Sequence, residues 1–301
     1  MKIKNLAALI AAATVAVSLT GCAVDKENQT GDGDVEITER LPETLPPVGI
    51  TPEDPPTEEP PTETQPPVEE EPPAEEPPAV KPPTVSEPKV QTVSYVKVTS
   101  DNVNIRTGAG TGYAIAGTAE KSTLYSCLGE ENGWYKTRYR NKIVYISKKY
   151  CVITKMNKSD NEQIEAVIAE GTKFMGVPYV YGAVRLHDGK GNMYKSFSVN
   201  AFDCSSLMQY IFYKGADKLL QVNTRTQIYQ GKTVSKANLK RGDLMFFTNA
   251  SRKNNTGIER VGHVALYLGD NYILHTASDY AKIEQISSTR WGYYIQSQRI
   301  I

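Results

Sequence analysis

The pattern of hydrophobic and polar positions changes several times along the chain, and each change marks a different kind of structure. From residue 95 onward, hydrophobic and polar residues alternate in short runs that are separated by turn residues. Alternation with a period of two predicts β-strands that bury one face. The glycine-rich segment 108–112 is predicted to be a loop, residues 131–133 a turn, and Asn141-Lys142 the link between the last two strands. The region 91–154 is therefore predicted to be a small all-β domain.

A helical pattern follows the predicted strands. Ser159-Asp160 can cap the first turn of a helix, and hydrophobic residues then recur at spacings of three and four. These residues are Ile164, Val167, Ile168 and Phe174. Their spacing predicts a helix that packs into a core. A turn-rich stretch, 176–183, and a polar insertion, 184–200, come after this helix.

The last hundred residues combine a second helical pattern with runs that are typical of strands. In the segment NAFDCSSLMQYI, Leu207, Tyr210 and Ile211 would form the buried stripe of a helix that Asp203 caps. Hydrophobic runs follow at 243–247, 264–268, 272–275 and 293–301. A helix ahead of a series of strands predicts an α+β domain over residues 160–301.

The first 22 residues have the layout of an export signal. Lys2 and Lys4 precede an apolar run from Leu6 to Val17, which is shorter than the roughly 20 residues that span a bilayer. The signal ends in Leu-Thr-Gly-Cys, which resembles the lipobox of bacterial lipoproteins. That resemblance implies that Cys22 is acylated and holds the mature protein on the membrane, facing the cell wall. The alternative is an ordinary secretory signal.

Composition separates the signal from the folded part. Of the 18 prolines, 17 lie between Pro42 and Pro88, and residues 23–90 hold 18 acidic against 4 basic side chains. Such a self-repelling, proline-rich segment is predicted to be a disordered spacer. The net charge of zero thus conceals a basic remainder, since residues 91–301 hold 28 of the 34 basic and 16 of the 34 acidic groups. This excess suits anionic wall polymers or lipid headgroups as neighbours, and an exported chain without a nucleic-acid motif argues against nucleic acid.

Cys204 is the first candidate for chemistry. Directly after the predicted cap Asp203, its thiolate would lie at the positive end of a helix dipole, and a neighbouring imidazolium would lower the thiol pKa further. The alternatives are a buried structural cysteine and a disulfide partner. Cys127 and Cys151 lie in the all-β region, where an exported protein permits a disulfide, although we favour two small buried thiols.

The chain has three histidines, and two of them lie in adjacent predicted strands. A three-residue loop at 269–271 would pair residues whose numbers sum to 540, which places His263 opposite Ala277 and diagonal to His275 on one face. A two-residue loop would place the two histidines on opposite faces. They could also bind a metal, but no third ligand stands at a suitable spacing, so we predict neither metal nor cofactor. His187, in the polar insertion, is predicted to be a solvated loop residue.

The β-rich region resembles the bacterial SH3 domain. The stretches that carry the resemblance are VNIRTGAGTGY at 103–113, ENGWYKTRY at 131–139 and VYISKKY at 144–150. The resemblance covers residues 93 to about 153. It implies a module that binds wall material or shapes a neighbouring active site.

Residues 163–301 resemble the NlpC/P60 family of papain-like cell-wall cysteine peptidases. The stretches that carry this resemblance are GVPYVYGA, FDCSSL, RGDLMFF and GHVALYLGDNYILHTAS. It implies that Cys204 is the nucleophile, that His263 is the general base and that His275 orients the base. Three further residues are implied in substrate binding, namely Tyr179, Asp203 and Ser205.

The resemblance also implies a function, and some positions depart from the family pattern. Ala183, Ser206 and Arg241 replace residues usual in the family, and the 184–200 insertion is long, which leaves the substrate detail open. The implied activity is a peptidoglycan endopeptidase that cuts the stem peptide between D-isoglutamate and the diamino acid, acting as a monomer. The alternatives are a thiol acyltransferase or amidase of the same fold and a non-catalytic wall-binding lipoprotein.

Overall fold

The computed structural model of the protein describes residues 91–277 and 279–301. The predicted signal, the acylation site Cys22 and the spacer 23–90 lie outside these residues. The described part forms fourteen strands and four α-helices. None of the helices in this part has the length and apolar character needed to cross a membrane.

The first eight strands form the all-β region. They are β1 (Thr92–Val98), β2 (Val103–Arg106), β3 (Ile115–Ala119), β4 (Leu124–Ser126), β5 (Gly129–Glu131), β6 (Trp134–Tyr139), β7 (Lys142–Ser147) and β8 (Cys151–Asn157). Five of them make an antiparallel sheet in the order β3-β2-β7-β6-β5. The alternation that predicted these strands recurs as alternating burial, because Val103 and Ile105 are buried on either side of an exposed residue. Cys127 and Cys151 are free thiols as expected, but only Cys151 is buried, whereas Cys127 is partly exposed.

The turn between β6 and β7 lies one residue earlier than predicted. Arg140 and Asn141 occupy it with φ values of 48° and 58°, and Lys142 already pairs with Tyr139 at the start of β7. Two successive residues with positive φ give a tight turn whose twist matches that of the flanking strands. The prediction of Asn141-Lys142 as the turn was therefore wrong by one position.

The second region combines the four helices with six strands. Its elements are α1 (Glu162–Thr172), α2 (Cys204–Ala216), α3 (Thr224–Gln227), β9 (Lys232–Val234), β10 (Leu244–Phe247), β11 (His263–Gly269), β12 (Tyr272–Ala277), β13 (Tyr280–Gln285), α4 (Ser288–Gly292) and β14 (Tyr294–Arg299). Asn161 caps α1, since its side chain accepts the Gln163 N–H at 2.9 Å, and this corrects the predicted cap at Ser159-Asp160. Phe174 is buried but lies beyond the end of α1.

A nine-stranded sheet continues from one region into the other, in the order β8-β1-β4-β13-β12-β11-β10-β14-β9. The junction is the pairing of Ile283 in β13 with Leu124 in β4, and both side chains are fully buried. Helix α1 packs on α2, and α2 packs against β11 and β12. This α+β arrangement, with an all-β region ahead of it, agrees with the predicted fold class and brings the start of α2 close to the sheet.

Two further contacts fix the all-β region to the second one. The Arg241 guanidinium forms a bidentate ion pair with Glu165, with N–O distances of 2.6 and 3.0 Å, and it donates to the Tyr95 hydroxyl of β1 at 2.9 Å. At the β6–β7 turn, Arg140 donates from its backbone to Met175 O and from Nε to Gly176 O. Arg241, which departs from the family pattern, is thus part of the junction between the two regions.

Candidate active site

Helix α2 begins at Cys204, and Asp203 caps it as predicted. Asp203 Oδ1 accepts the Ser206 backbone N–H at 2.8 Å, and Ser206 Oγ accepts the Asp203 backbone N–H at 2.9 Å. This reciprocal pair is a capping box, which satisfies two of the free N–H groups at a helix start. Ser206 therefore has a structural role at a position where the family usually has glycine. The box fixes the start of α2 against β11, where Cys204 is 7% exposed.

The Cys204 thiol differs from the low-pKa thiolate expected at a helix start. Burial, together with the adjacent Asp203 carboxylate, raises the pKa of Cys204 to about 12, although the backbone N–H groups of Val264, Ser205 and Cys204 lower it in part. This shift is opposite to the expected one, because desolvation of the buried thiol outweighs the hydrogen bonds at the helix start. Among the described residues no hydrogen bond joins the Cys204 sulfur to either neighbouring histidine. The Cys204 side chain is therefore a neutral thiol at physiological pH.

The two strand histidines lie on one face, in the register predicted. Leu266 pairs with Leu274 and Tyr267 with Ile273, so the residue numbers sum to 540. The connection itself is a two-residue turn, Asp270–Asn271, and a bulge at 267–269 restores the register that a three-residue loop would give. As a result His263 and His275 are in contact.

The contact between the histidines is a buried hydrogen bond. His263 Nε2 and His275 Nδ1 are 2.9 Å apart, and the rings meet nearly edge to face. Burial lowers the pKa of both imidazoles, that of His263 well below its ordinary value, and the proximity of His275 and Arg290 lowers the pKa of His263 further. Both rings are therefore neutral at physiological pH, and His263 can accept a proton.

Two charged residues that sequence reasoning missed complete this hydrogen-bonded chain. Glu284 Oε1 lies 2.9 Å from His275 Nε2, and Arg290 Nη2 lies 3.1 Å from the same oxygen. Glu284 comes from β13 and Arg290 from α4, and neither element was predicted. The weak alternation of Ala281 and Ile283 was the only signal for β13 in the sequence.

Two cavities meet at the site. One, of about 150 Å³, is lined by Cys204, Asp203, Ser205 and Arg185 among others. The other, of about 390 Å³, is lined by His263, Thr248 and Arg290 among others. Tyr179 and Gly262 line both. Cys204 and His263 therefore border adjoining spaces in which the two halves of an extended substrate could lie.

The 184–200 insertion contributes Arg185 to the smaller cavity. Its Nη2 atom lies 2.9 Å from Asp203 Oδ2 and 3.4 Å from Ser205 Oγ, and the Asp203 side chain is only 6% exposed. The three predicted substrate-binding residues Tyr179, Asp203 and Ser205 are thus together beside Cys204. Arg185, missed from the sequence, neutralises the one carboxylate that lines this cavity.

The prediction for His187 was wrong. This histidine is fully buried, its Nδ1 accepts the Gly189 N–H at 3.0 Å, and its ring packs edge-on against Tyr213. The insertion folds back on itself through a bridge between residues 187 and 193, and this removes His187 from solvent. It belongs to the core beneath the insertion and not to the site.

This arrangement supplies a thiol, a neutral base and backbone donors, which are the groups that covalent acyl transfer needs. Across residues 91–277 and 279–301 no cluster of three His, Cys, Asp or Glu side chains is suited to a metal ion. The two histidines bind each other, and the second binds a carboxylate. The fold and the site thus define a papain-like α+β protein with a cysteine at a helix start and a histidine pair on the sheet.

Comparison with known families identifies the two regions. Residues 176–299 match the model of the NlpC/P60 family, and residues 101–151 match that of the bacterial SH3 domain. The chain therefore carries an NlpC/P60 domain preceded by a bacterial SH3 domain. The boundaries 91–154 and 160–301 stay predictions.

Similar proteins include enzymes that act on glutamyl bonds. The Gamma-DL-glutamyl hydrolase of Bacillus subtilis is 31% identical over 126 residues, which cover 42% of this chain and 26% of that protein. The Gamma-D-glutamyl-L-lysine dipeptidyl-peptidase of the same organism is 28% identical over 57% of this chain and 50% of that one. Among solved structures, the peptidoglycan hydrolase RipB of Mycobacterium tuberculosis is 28% identical, with a TM-score of 0.36 over 46% of this chain and 65% of that chain. The chain spans between a quarter and a half of the length of these two curated relatives.

Proposed function

We propose that the protein is a cysteine peptidase of the bacterial cell wall, which cuts the peptidoglycan stem peptide between D-isoglutamate and the diamino acid. The observation that carries this proposal is the buried Cys204 thiol at the start of α2 beside the hydrogen-bonded pair His263–His275. The names of the relatives, which include a γ-D-glutamyl peptidase and a peptidoglycan hydrolase, support the choice of bond and substrate.

The first half of the mechanism forms a thioester. Because Cys204 starts as a neutral thiol, its proton moves to His263 as the sulfur attacks the amide carbonyl, so no stable ion pair is needed beforehand. The N–H groups at the start of α2, including that of Cys204, stabilise the oxyanion. His263 then returns the proton to the departing amine, and the acyl group stays on sulfur.

The second half releases the acyl group. Water takes the place of the amine, His263 removes its proton, and the thioester breaks to give the D-isoglutamyl product and the free thiol. Since His263 protonates the leaving amine, the diamino acid lies in the larger cavity that His263 lines, and the D-isoglutamyl part lies in the smaller cavity with Cys204. Tyr179, which lines both cavities, lies where the scissile bond crosses from one to the other.

The remaining parts of the chain would set where the enzyme acts. Acylation at Cys22 would hold it on the membrane, the spacer 23–90 would set its reach, and the SH3 domain together with the positive charge of residues 91–301 would favour contact with wall polymers. We expect a monomer that binds stem peptides. These statements rest on the sequence.

The experiment that tests the proposal is a digest of defined stem peptides by the full chain, followed by mass spectrometry. Cleavage after D-isoglutamate should disappear in Cys204→Ala and persist in Cys127→Ala, which removes a different free cysteine, one in the SH3 region. Products that carry a new acyl–amine bond instead of a free carboxylate would indicate a transferase. Binding to wall material without cleavage would leave a non-catalytic wall-binding protein.

A further inference from the structure

The catalytic histidine pair ends on a carboxylate, and this determines where its protons lie. Glu284 Oε1, His275 Nε2, His275 Nδ1 and His263 Nε2 form two successive hydrogen bonds, each of 2.9 Å. Both histidines are buried and neutral, so each ring carries one N–H. Each hydrogen bond in such a chain has one donor and one acceptor. If the group at one end can only accept, it determines the donor and the acceptor in every other bond of the chain.

Glu284 is the fixed end because it is an acceptor only. Burial alone would raise its pKa, but the hydrogen bond from the His275 N–H and the positive charges of Arg290 and Lys282 help to outweigh burial, and the pKa of Glu284 falls to about 2. An ionised carboxylate has no proton to donate, so His275 must carry its proton on Nε2. His275 Nδ1 is then an acceptor, and His263 Nε2 must be the donor to it.

The tautomer of His275 also determines which nitrogen of His263 carries a proton. With its proton on Nε2, His263 keeps an unprotonated Nδ1, and that nitrogen is the one that His275 does not occupy. We propose that Glu284 is a positioning residue that sets the tautomers of His275 and His263, so that Nδ1 of His263 is free to take the thiol proton. The effect on catalysis rests on the proposed function, whereas the tautomers can be observed without any substrate.

Arg290 alone would favour the opposite tautomer of His275, with the proton on Nδ1. It can only donate, and it lies 3.1 Å from the same carboxylate oxygen. Without an acceptor at position 284, Arg290 would favour His275 Nε2 as its acceptor. The His275 proton would then move to Nδ1, His263 would be protonated on Nδ1, and the base would be lost.

The test combines nitrogen NMR with kinetics on the full chain. The chain has only three histidines, so selective ¹⁵N-histidine labelling resolves each ring. At neutral pH the wild-type protein should show His263 and His275 both protonated on Nε2. Glu284→Met should populate the Nδ1–H forms and lower kcat/KM roughly ten- to a hundredfold. Glu284→Gln keeps an acceptor oxygen and should keep the wild-type tautomers and most of the activity.

A matched control is Glu131→Met, since Glu131 is an exposed glutamate of β5 without a histidine contact. It should change neither tautomers nor kcat/KM. A wild-type His275 protonated on Nδ1 would overturn the proposal, and so would unchanged tautomers and rates in Glu284→Met. If Glu284→Met fails to fold, the wild-type spectrum alone decides. Correct tautomers in a protein that cuts no stem peptide would overturn the proposed function and leave the assignment of Glu284 standing.

Discussion

The neutral state of the Cys204 thiol leads to a direct prediction about its reactivity. The protein is alkylated with iodoacetamide between pH 6 and pH 10, and the individual cysteine peptides are then quantified by mass spectrometry. Only the thiolate reacts at a useful rate, so the change of each labelling rate with pH reports the ionised fraction, whereas its absolute size also depends on access to the thiol. Cys204 can be compared with Cys127 in the same tube, because Cys127 is a partly exposed free thiol.

The expected magnitude follows from the two pKa values. With a pKa of about 12 for Cys204 against about 8.5 for an ordinary thiol, the ionised fraction at pH 7.5 differs on the order of a thousandfold. Cys204 should therefore label far more slowly than Cys127 at neutral pH, and its rate should still rise at pH 10. Cys151 should also label slowly, because burial raises its pKa to about 12.

A specific result would refute this reasoning. If Cys204 labels faster than Cys127 at pH 6, and its rate levels off below pH 7, then the resting enzyme holds a thiolate–imidazolium pair. The mechanism would then begin from an ion pair, and proton transfer would not accompany attack. A control with Cys204→Ala shows which peptide carries the label.

Three further predictions concern the framework around the site. Arg241→Met leaves the largely buried Glu165 carboxylate without its partner and should cost about 3 kcal/mol of unfolding free energy. This loss should appear as a fall in melting temperature of roughly 6 to 12 °C. Adding Glu165→Gln should recover part of the loss, and no recovery would refute the ion-pair account. Gly176→Ala places a Cβ at a φ of 80° and against the Tyr139 ring, so it should destabilise by at least about 2 kcal/mol in urea unfolding, and a neutral effect would contradict the packing described. The pKa of Glu284 is about 2 in the folded protein, below its unfolded value near 4.3. The ionised Glu284 carboxylate therefore stabilises the folded protein above pH 4.3, and this stabilisation is lost as the pH falls toward 2. Glu284→Gln should lose less stability than wild type over that range, and equal losses in acid titrations would oppose this assignment.

The sequence predicted the local parts of the site because they depend on short-range rules. Asp203 caps α2 as its position before a hydrophobic stripe suggested. The alternation in β11 and β12 placed both histidines on one face, and the register came out as predicted. The turn itself differed, since a two-residue turn followed the bulge at 267–269, and together they give the strand register that a three-residue loop would give. Side-chain period was thus easier to predict than turn geometry.

The parts that could not be predicted depend on residues that are distant in the sequence. Glu284 reaches His275 only because β13 pairs with β12, and Arg185 reaches Asp203 only because the insertion folds over the start of α2. The thiol pKa depends on burial, which a helix-start pattern does not reveal. Similarly, the polarity of the 184–200 insertion concealed the fact that His187 is enclosed within it.

In the proposed mechanism, Cys204 carries the acyl group of a cut stem peptide. This intermediate can be trapped by acid quenching of the full chain within milliseconds of mixing with a stem peptide, followed by mass spectrometry of the cysteine peptides. We expect a transient mass increase on the Cys204 peptide equal to the acyl half that ends in D-isoglutamate, absent in Cys204→Ala. Stem-peptide cleavage that proceeds without any acylated Cys204, or that persists in Cys204→Ala, would contradict it.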